Sequence, residues 1–350
     1  MKTNLLTLST SEKISLISNL ATMLSAGIPI LEVVDSLIAD AKGNQRKVLE
    51  VLRADLIGGN RIYTTLAKFP FVFDAVTVNV VRAAEEAGTL DVTLKDLKAT
   101  ILKEVEFSDK VKSALIYPSF IVVVFFAVFF LILLVVIPKI AEVFGRLRME
   151  LPLPTRILIF LSSIIIDHSV WVITGLLVTL VGSFLLYRQK RAFFLRILFS
   201  LPFIRTLVKE IDLTRFARSM SLLLNAGIPI TTALELSGNV VIRHDTTHVI
   251  TVSREMVLAG KPLSQGLRTE TGFIPAIMMK LIEAGEKTGS LDRAMQDISE
   301  YYDYQVGTTL KAITALIEPT MLVVIGIVVG GMMLSIVTPI YGLIGQVGAR

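Results

Sequence analysis

Two polar stretches carry the residue types from which chemistry is made. The first is Glu283-Ala284-Gly285-Glu286-Lys287-Thr288-Gly289-Ser290-Leu291-Asp292. Its Lys287-Thr288 pair invites comparison with a phosphate-binding loop. That loop needs glycine directly before the lysine, another glycine five residues earlier and a strand ahead of it. Glu286 holds the glycine position, and the context is helical; Gly260-Lys261-Pro262 meets the same objection. The second stretch is His244-Asp245-Thr246-Thr247-His248, with two imidazoles one helical turn apart. Zinc hydrolases pair the first histidine with glutamate and need a third ligand. The third histidine, His168, is expected across a membrane from these two. No G-x-S-x-G elbow and no cysteine is present. The reading is a non-enzyme with no cofactor and no metal.

The polar stretch reads better as a corner between helices. Gly289 ends one helix, Ser290 caps the next, and Asp292 sits in a first turn where the helix dipole favours an anion. Glu286 is out of place by the same rule, because it lies in a last turn. Either an ion pair with Lys287 or Arg293 fixes the corner, or the acid faces a partner. Glu85 and Asp91, with Gly88 between them, hold the corresponding places earlier in the chain. Glu85, Asp91, Glu286 and Asp292 are thus candidate partner contacts. A second kind of corner is Leu24-Ser25-Ala26-Gly27-Ile28-Pro29-Ile30, which returns as Leu224-Asn225-Ala226-Gly227-Ile228-Pro229-Ile230. Gly27 and Gly227 end a helix, and Pro29 and Pro229 open the next.

These corners belong to an internal repeat. Gly59 matches Gly260, Gly88 matches Gly289, Pro118 matches Pro319 and Pro138 matches Pro339. The offset is 200 residues at the first motif and 201 at the others. Within copy one, Ser9-Thr10-Ser11-Glu12 fits a capping box. Apolar residues then recur at helical spacing, with further helices expected over roughly 44–57, 60–68, 74–87 and 90–113. No segment shows the alternation of a strand.

The chain has 350 residues, of which 53% are hydrophobic and 19% charged, with a net charge of +5. The mean hydropathy of +0.69 is too high for an ordinary soluble domain. The runs 113–138, 169–187 and 319–349 contain no Asp, Glu, Lys or Arg, and each can span a bilayer. The expected fold is an all-α integral membrane protein. Two cytoplasmic helical bundles of about six helices each (1–113 and 188–317) alternate with transmembrane helices at 114–138, 169–187 and 318–342. An external loop with a short helix covers 139–168, its Leu151-Pro152-Leu153-Pro154 reading as an extended connector. A short external tail covers 343–350. The N-terminus, expected to be free of a signal peptide, lies in the cytoplasm and the C-terminus outside. Lys103, Lys110 and Lys112 before the first span, and Arg188, Lys190 and Arg191 after the second, put both copies on the positive side. Two spans between two like domains return the second to the side of the first. Gly326, Gly330 and Gly331 form a small-residue face for helix packing in the last span. No span holds an internal charge, which disfavours a transporter, although Glu318 at the edge of the last span keeps that alternative open. No basic stretch is interleaved with aromatics, so nucleic acid is not an expected partner.

With AGIPI, G-E-x-x-G-x-L-D, the proline at each soluble-to-membrane junction and IPKIAEVFGRLRMELPLPTR in view, the chain resembles the GspF/PilC family. These are inner-membrane platform proteins of type II secretion, type IV pilus and competence systems. The resemblance runs from about residue 11 to 345. Copy one departs from the motif at Ala84, where copy two has Gly285. The resemblance implies a non-enzymatic platform at the base of an assembly machine. A cytoplasmic hexameric ATPase would dock beneath it, and pilins or pseudopilins would be lifted from the bilayer into a fibre. Other inner-membrane assembly subunits, further copies of the chain and lipid are the remaining implied partners.

Overall fold

The computed structural model describes residues 6–146, 153–168, 174, 202–268 and 274–347, and among these it is all helical, with no strand. Copy one runs through α1 (Thr10–Ser25), α2 (Ile30–Asp40), α3 (Gly43–Ile57), α4 (Ile62–Leu66), α5 (Ala75–Ala87) and the start of α6 (Leu90–Leu131). A π-helical turn at Ile132–Val136, then α7 (Ile137–Arg146) and α8 (Leu153–Asp167), follow. Copy two runs through α9 (Pro202–Asn225), α10 (Ile230–Gly238), α11 (His244–Leu258), α12 (Leu263–Leu267), α13 (Ala276–Thr288) and the start of α14 (Leu291–Val347). The expected second span, 169–187, lies outside the described residues apart from Thr174, as do Arg188, Lys190 and Arg191.

The local signals act as physics requires. Ser9 accepts the Glu12 amide while the Glu12 carboxylate accepts the Ser9 amide, the reciprocal capping box. Pro29 and Pro229 stand directly before α2 and α10. Gly88 and Gly289 end α5 and α13 at φ 71° and 70°, a left-handed conformation that an L side chain resists.

The structure also corrects the sequence reading. α6 does not stop near 113 ahead of a separate span. It continues unbroken through Pro118, and α14 continues through Pro319. In an apolar setting, every amide and carbonyl must find its partner inside the segment, so a helix that enters has good reason not to break. The stretch 139–168 is mostly helix rather than loop. Leu153-Pro154 opens α8 instead of extending a connector, since proline suits a first turn.

The chain divides into two compact units, Met1–Lys110 with Thr206–Thr308 and Val111–Arg205 with Thr309–Arg350. In the first unit, both copies share one contiguous apolar core. Leu16, Leu49, Phe69 and Val81 of copy one and Phe216, Met220, Leu234 and Ile282 of copy two belong to it. Burying each such side chain stabilises by roughly 1.5–3 kcal/mol. In the second unit, Phe120, Val123, Leu322, Val323 and Ile327 are exposed. Among the described residues, two helical stretches, Leu90–Val143 and Leu291–Ser335, are long and apolar enough to cross a membrane.

The two later prolines of the repeat, Pro138 and Pro339, are accommodated differently. Pro138 has no amide to give the Leu134 carbonyl. There the helix widens, and the Ile137 amide reaches the Ile132 carbonyl in the π-helical turn. Pro339 likewise leaves the Ser335 carbonyl without an amide. There the helix stays α, and the buried Thr155 hydroxyl donates to that carbonyl.

Candidate functional site

The repeated corners are built around a glutamate and two amides. Helix α4 follows Arg61 and α12 follows Pro262, and neither residue offers a side-chain cap. Their first amides therefore need an acceptor from elsewhere. Glu85, on α5, accepts the amides of Ile62 at 2.9 Å and Tyr63 at 3.3 Å. Glu286, on α13, accepts the amides of Leu263 and of Ser264, the latter at 3.3 Å. The 201-residue offset relates all three groups in each corner. This resolves the odd place of Glu286. Its charge is misplaced at the end of its own helix but well placed at the start of α12, where free amides and the helix dipole attract it. Its carboxylate binds backbone 22 and 23 residues upstream, so an ion pair with Lys287 or Arg293, one of the two readings of this acid, is not what fixes the corner.

Beyond each glutamate the chain turns at Gly88 or Gly289. The Thr89 amide returns to the Ala84 carbonyl and the Ser290 amide to the Gly285 carbonyl, both at 2.9 Å. Asp91 and Asp292 lie in the first turns of α6 and α14. The Ser290 hydroxyl is hydrogen-bonded to the Thr288 hydroxyl at 2.6 Å. Gly285 is required by packing: a Cβ placed there would stand 2.7 Å from the Ala294 Cβ. Copy one holds Ala84 at that position, buried. Around the corner of copy two, Arg268, Glu283 and Lys287 border an open hollow of about 570 Å³, with Arg268 and Glu283 ion-paired across it.

The remaining sequence-predicted residues separate from these. Gly27 and Gly227 take positive φ of 79° and 75° at their own corners. His244 begins α11. Among the described residues, no group of three or more His, Cys, Asp or Glu is placed to hold a metal ion. Gly326, Gly330 and Gly331 lie on α14 with nothing beyond the adjoining backbone of their own helix within 4 Å of where a Cβ would stand, so no described neighbour packs on that face.

Sequence reasoning missed Asp212 on α9. This aspartate is fully buried and accepts the amides of Ile242 at 2.7 Å and Arg243 at 2.9 Å, and the Thr246 hydroxyl at 3.0 Å. It caps α11 from a distance, as Glu286 caps α12. Burial pushes its carboxyl above the ordinary aspartate range, against the pull of those donors and of Arg215. The two copies are joined by charge as well as by core. Glu104 of α6 accepts Arg218 at 2.7 Å and Arg215 at 3.2 Å, while Lys103 meets Glu300 at 3.0 Å and Lys110 meets Asp303 at 3.6 Å.

The comparisons with known proteins follow the same two-copy outline. The family described as type II secretion system (T2SS), protein F matches residues 16–138 and again 216–339. A type IV pilus assembly protein PilC of Myxococcus xanthus is 30% identical over 331 residues, covering 93% of this chain and 79% of that protein. PilC of Thermus thermophilus is 29% identical over 95% of this chain and 82% of its own length. A type II secretion system protein F of Aeromonas hydrophila is 28% identical over 95% and 86%. With the family matched twice, once on each copy of the glutamate corner, this chain belongs to the protein F family of type II secretion and type IV pilus assembly.

Proposed function

We propose that this chain is the non-catalytic inner-membrane platform of a type IV pilus-like or type II secretion machine. It couples a cytoplasmic assembly ATPase to the insertion of pilin or pseudopilin subunits into a fibre. The observation that carries this reading is the family match on both copies of the repeat. The structure supports it in two ways. Both copies belong to one compact unit, which fits a shared cytoplasmic side, and the two long apolar helices present unpaired apolar side chains. In this reading the N-terminus is cytoplasmic, the C-terminus is external, and 169–187 is the returning span. The glycine face of α14 packs against a membrane helix of a partner or of a second copy.

The repeated corners are the proposed docking points for partners on the cytoplasmic side. Glu85 and Glu286 hold the shape of the corner, and Asp91 and Asp292 present its charge. The test reverses Asp91 and Asp292 to lysine together in the full chain. Expected is at least a tenfold loss of ATPase co-purification and of fibre assembly, with the melting temperature shifted by no more than a few degrees. Undiminished co-purification and assembly would remove the corners from the coupling.

A further inference from the structure

Where the two copies meet in the first compact unit there is a cavity of about 530 Å³, a size suited to a small ligand. Copy one supplies α1, the start of α5 and α6 as walls, and copy two supplies α9. Phe71, Val72, Ile101 and Leu222 make part of the wall apolar, while Lys13, Arg215 and Arg218 bring three cations to it. The two carboxylates of the lining are already engaged. Asp74 caps its own helix through the Thr77 amide at 2.7 Å, and Glu104 takes both arginines. Lys13 lies 5.9 Å from the centre of the Phe73 ring and makes no salt bridge to a described acid.

Behind this wall, two buried donors also lack partners. Arg218 is 9% exposed and Ser219 is 7% exposed. Despite the contacts of Arg218 to Glu104 and to the Phe107 ring, its Nε atom has no acceptor, and the Ser219 hydroxyl has no partner. Buried donors are normally paired, and an unpaired one is costly. Guanidinium pairs favour carboxylate and phosphate oxygens. An oxyanion would meet Lys13 and Arg215, with the positive charge of buried Arg218, held by Glu104 and Asp303, behind them, and an apolar body would rest on Phe71, Val72 and Leu222.

We infer that this cavity binds a small organic oxyanion, a phosphate or carboxylate carried on a planar apolar body, and that its binding braces the two copies against each other. Neither copy alone holds the full set, since Lys13 and Glu104 come from one and Arg215, Arg218 and Ser219 from the other.

The test uses the full chain in lipid nanodiscs, titrated by calorimetry with phenyl phosphate, AMP, benzoate, inorganic phosphate and phenol. Saturable one-to-one binding of phenyl phosphate, AMP or benzoate is expected, at least tenfold tighter than inorganic phosphate or phenol. Preference for AMP and phenyl phosphate identifies a phosphate ligand, and preference for benzoate a carboxylate ligand. Lys13→Gln removes a half-buried cation without touching the Glu104 clamp, and Thr100→Trp fills the cavity from α6. Each is expected to weaken binding at least tenfold while the melting temperature without ligand stays within a few degrees. Failure of all five compounds to bind, inorganic phosphate binding as tightly as phenyl phosphate, or undiminished binding in both variants would overturn the site.

Discussion

The two copies of the repeat keep the same corner but reach it with different supports, and the differences show what the fold must preserve. Glu85 and Glu286 cap α4 and α12 with the same pair of amides. Asp35 pairs with Arg53 in copy one and Glu235 with Arg254 in copy two. Elsewhere the copies diverge. Glu12 completes a local capping box on α1, whereas Asp212, at the matching position, is buried and caps α11 from another helix. The exposed arrangement is local and independent of the rest of the fold. The buried one commits three donors from a distant segment to a single carboxylate, so it ties α9 to α11.

The largest expected effect breaks that contrast. Asp212→Ala leaves two amides and a hydroxyl without their buried acceptor, a loss of about 3 kcal/mol given roughly 1–3 kcal/mol for a buried unsatisfied group. The melting temperature of the full chain in detergent would register it as a fall of several degrees. Glu12→Ala, in the exposed box, is expected to produce a much smaller fall. Equal effects in the two copies would show that burial of the cap is not what matters.

Titration sharpens the same comparison. Asp55 of copy one is held below its ordinary value of 3.8, first by the hydrogen bond from Lys68 and then by Thr65. Asp212 is raised above 3.8 by burial. A lowered carboxyl contributes stability that is present above its unfolded value and is lost as pH falls through its folded value. A raised one contributes stability that is present below its unfolded value and is lost as pH rises through its folded value. The stability margin of the parent over Asp55→Asn should therefore grow as pH rises towards 3.8. The margin over Asp212→Asn should shrink as pH rises beyond 3.8. Melting curves of the three proteins between pH 3 and 7 check both signs.

The next effect concerns the position where the motif itself differs. Gly285→Ala would force a methyl to 2.7 Å from the Ala294 Cβ and 3.2 Å from the Leu291 Cα. Overpacking of this kind costs about 1–3 kcal/mol. Ala84 already fills the same position in copy one, so Ala84→Gly there is expected to cost only about 1 kcal/mol, chiefly through lost helix propensity. Thermal unfolding of both variants measures the asymmetry.

How much of this was legible in the residues follows from the range of each interaction. The capping box at Ser9, the glycine corners and the proline helix starts are local, and their residue types announce them. The repeat announced itself through fixed spacing. The remote caps did not, because nothing within four residues of Asp212 or Glu286 names the amides they accept. Some signal was present: Arg61 and Pro262 precede short helices without offering a cap, and Glu286 sits against the dipole of its own helix. A helix start lacking an acceptor and a misplaced acid are two halves of one interaction. The unbroken courses of α6 and α14 were hidden for a different reason. Pro118 and Pro319 look like stops in water, where freed carbonyls find solvent, but an apolar surrounding makes continuation of the helix the better option.

The smallest expected effect is also the most specific, and it lies in the second unit. The two prolines of the repeat each remove one donor. Copy one accommodates Pro138 by a π-helical turn, and copy two accommodates Pro339 by borrowing the Thr155 hydroxyl for the Ser335 carbonyl. If that hydroxyl is there to replace the missing amide, Thr155→Val should destabilise the chain by about 0.5–1.5 kcal/mol, the net worth of a typical intramolecular hydrogen bond. Pro339→Ala restores an amide that can reach Ser335 within its own helix. In that background the same Thr155→Val change should cost much less. A double-mutant cycle on melting temperature in nanodiscs reads this coupling directly. Additive effects would mean that Thr155 is held for its packing in α8 and that the proline is accommodated without it. Pro138→Ala in copy one is the control: with no hydroxyl partner in its accommodation, its effect should be indifferent to the residue at 155.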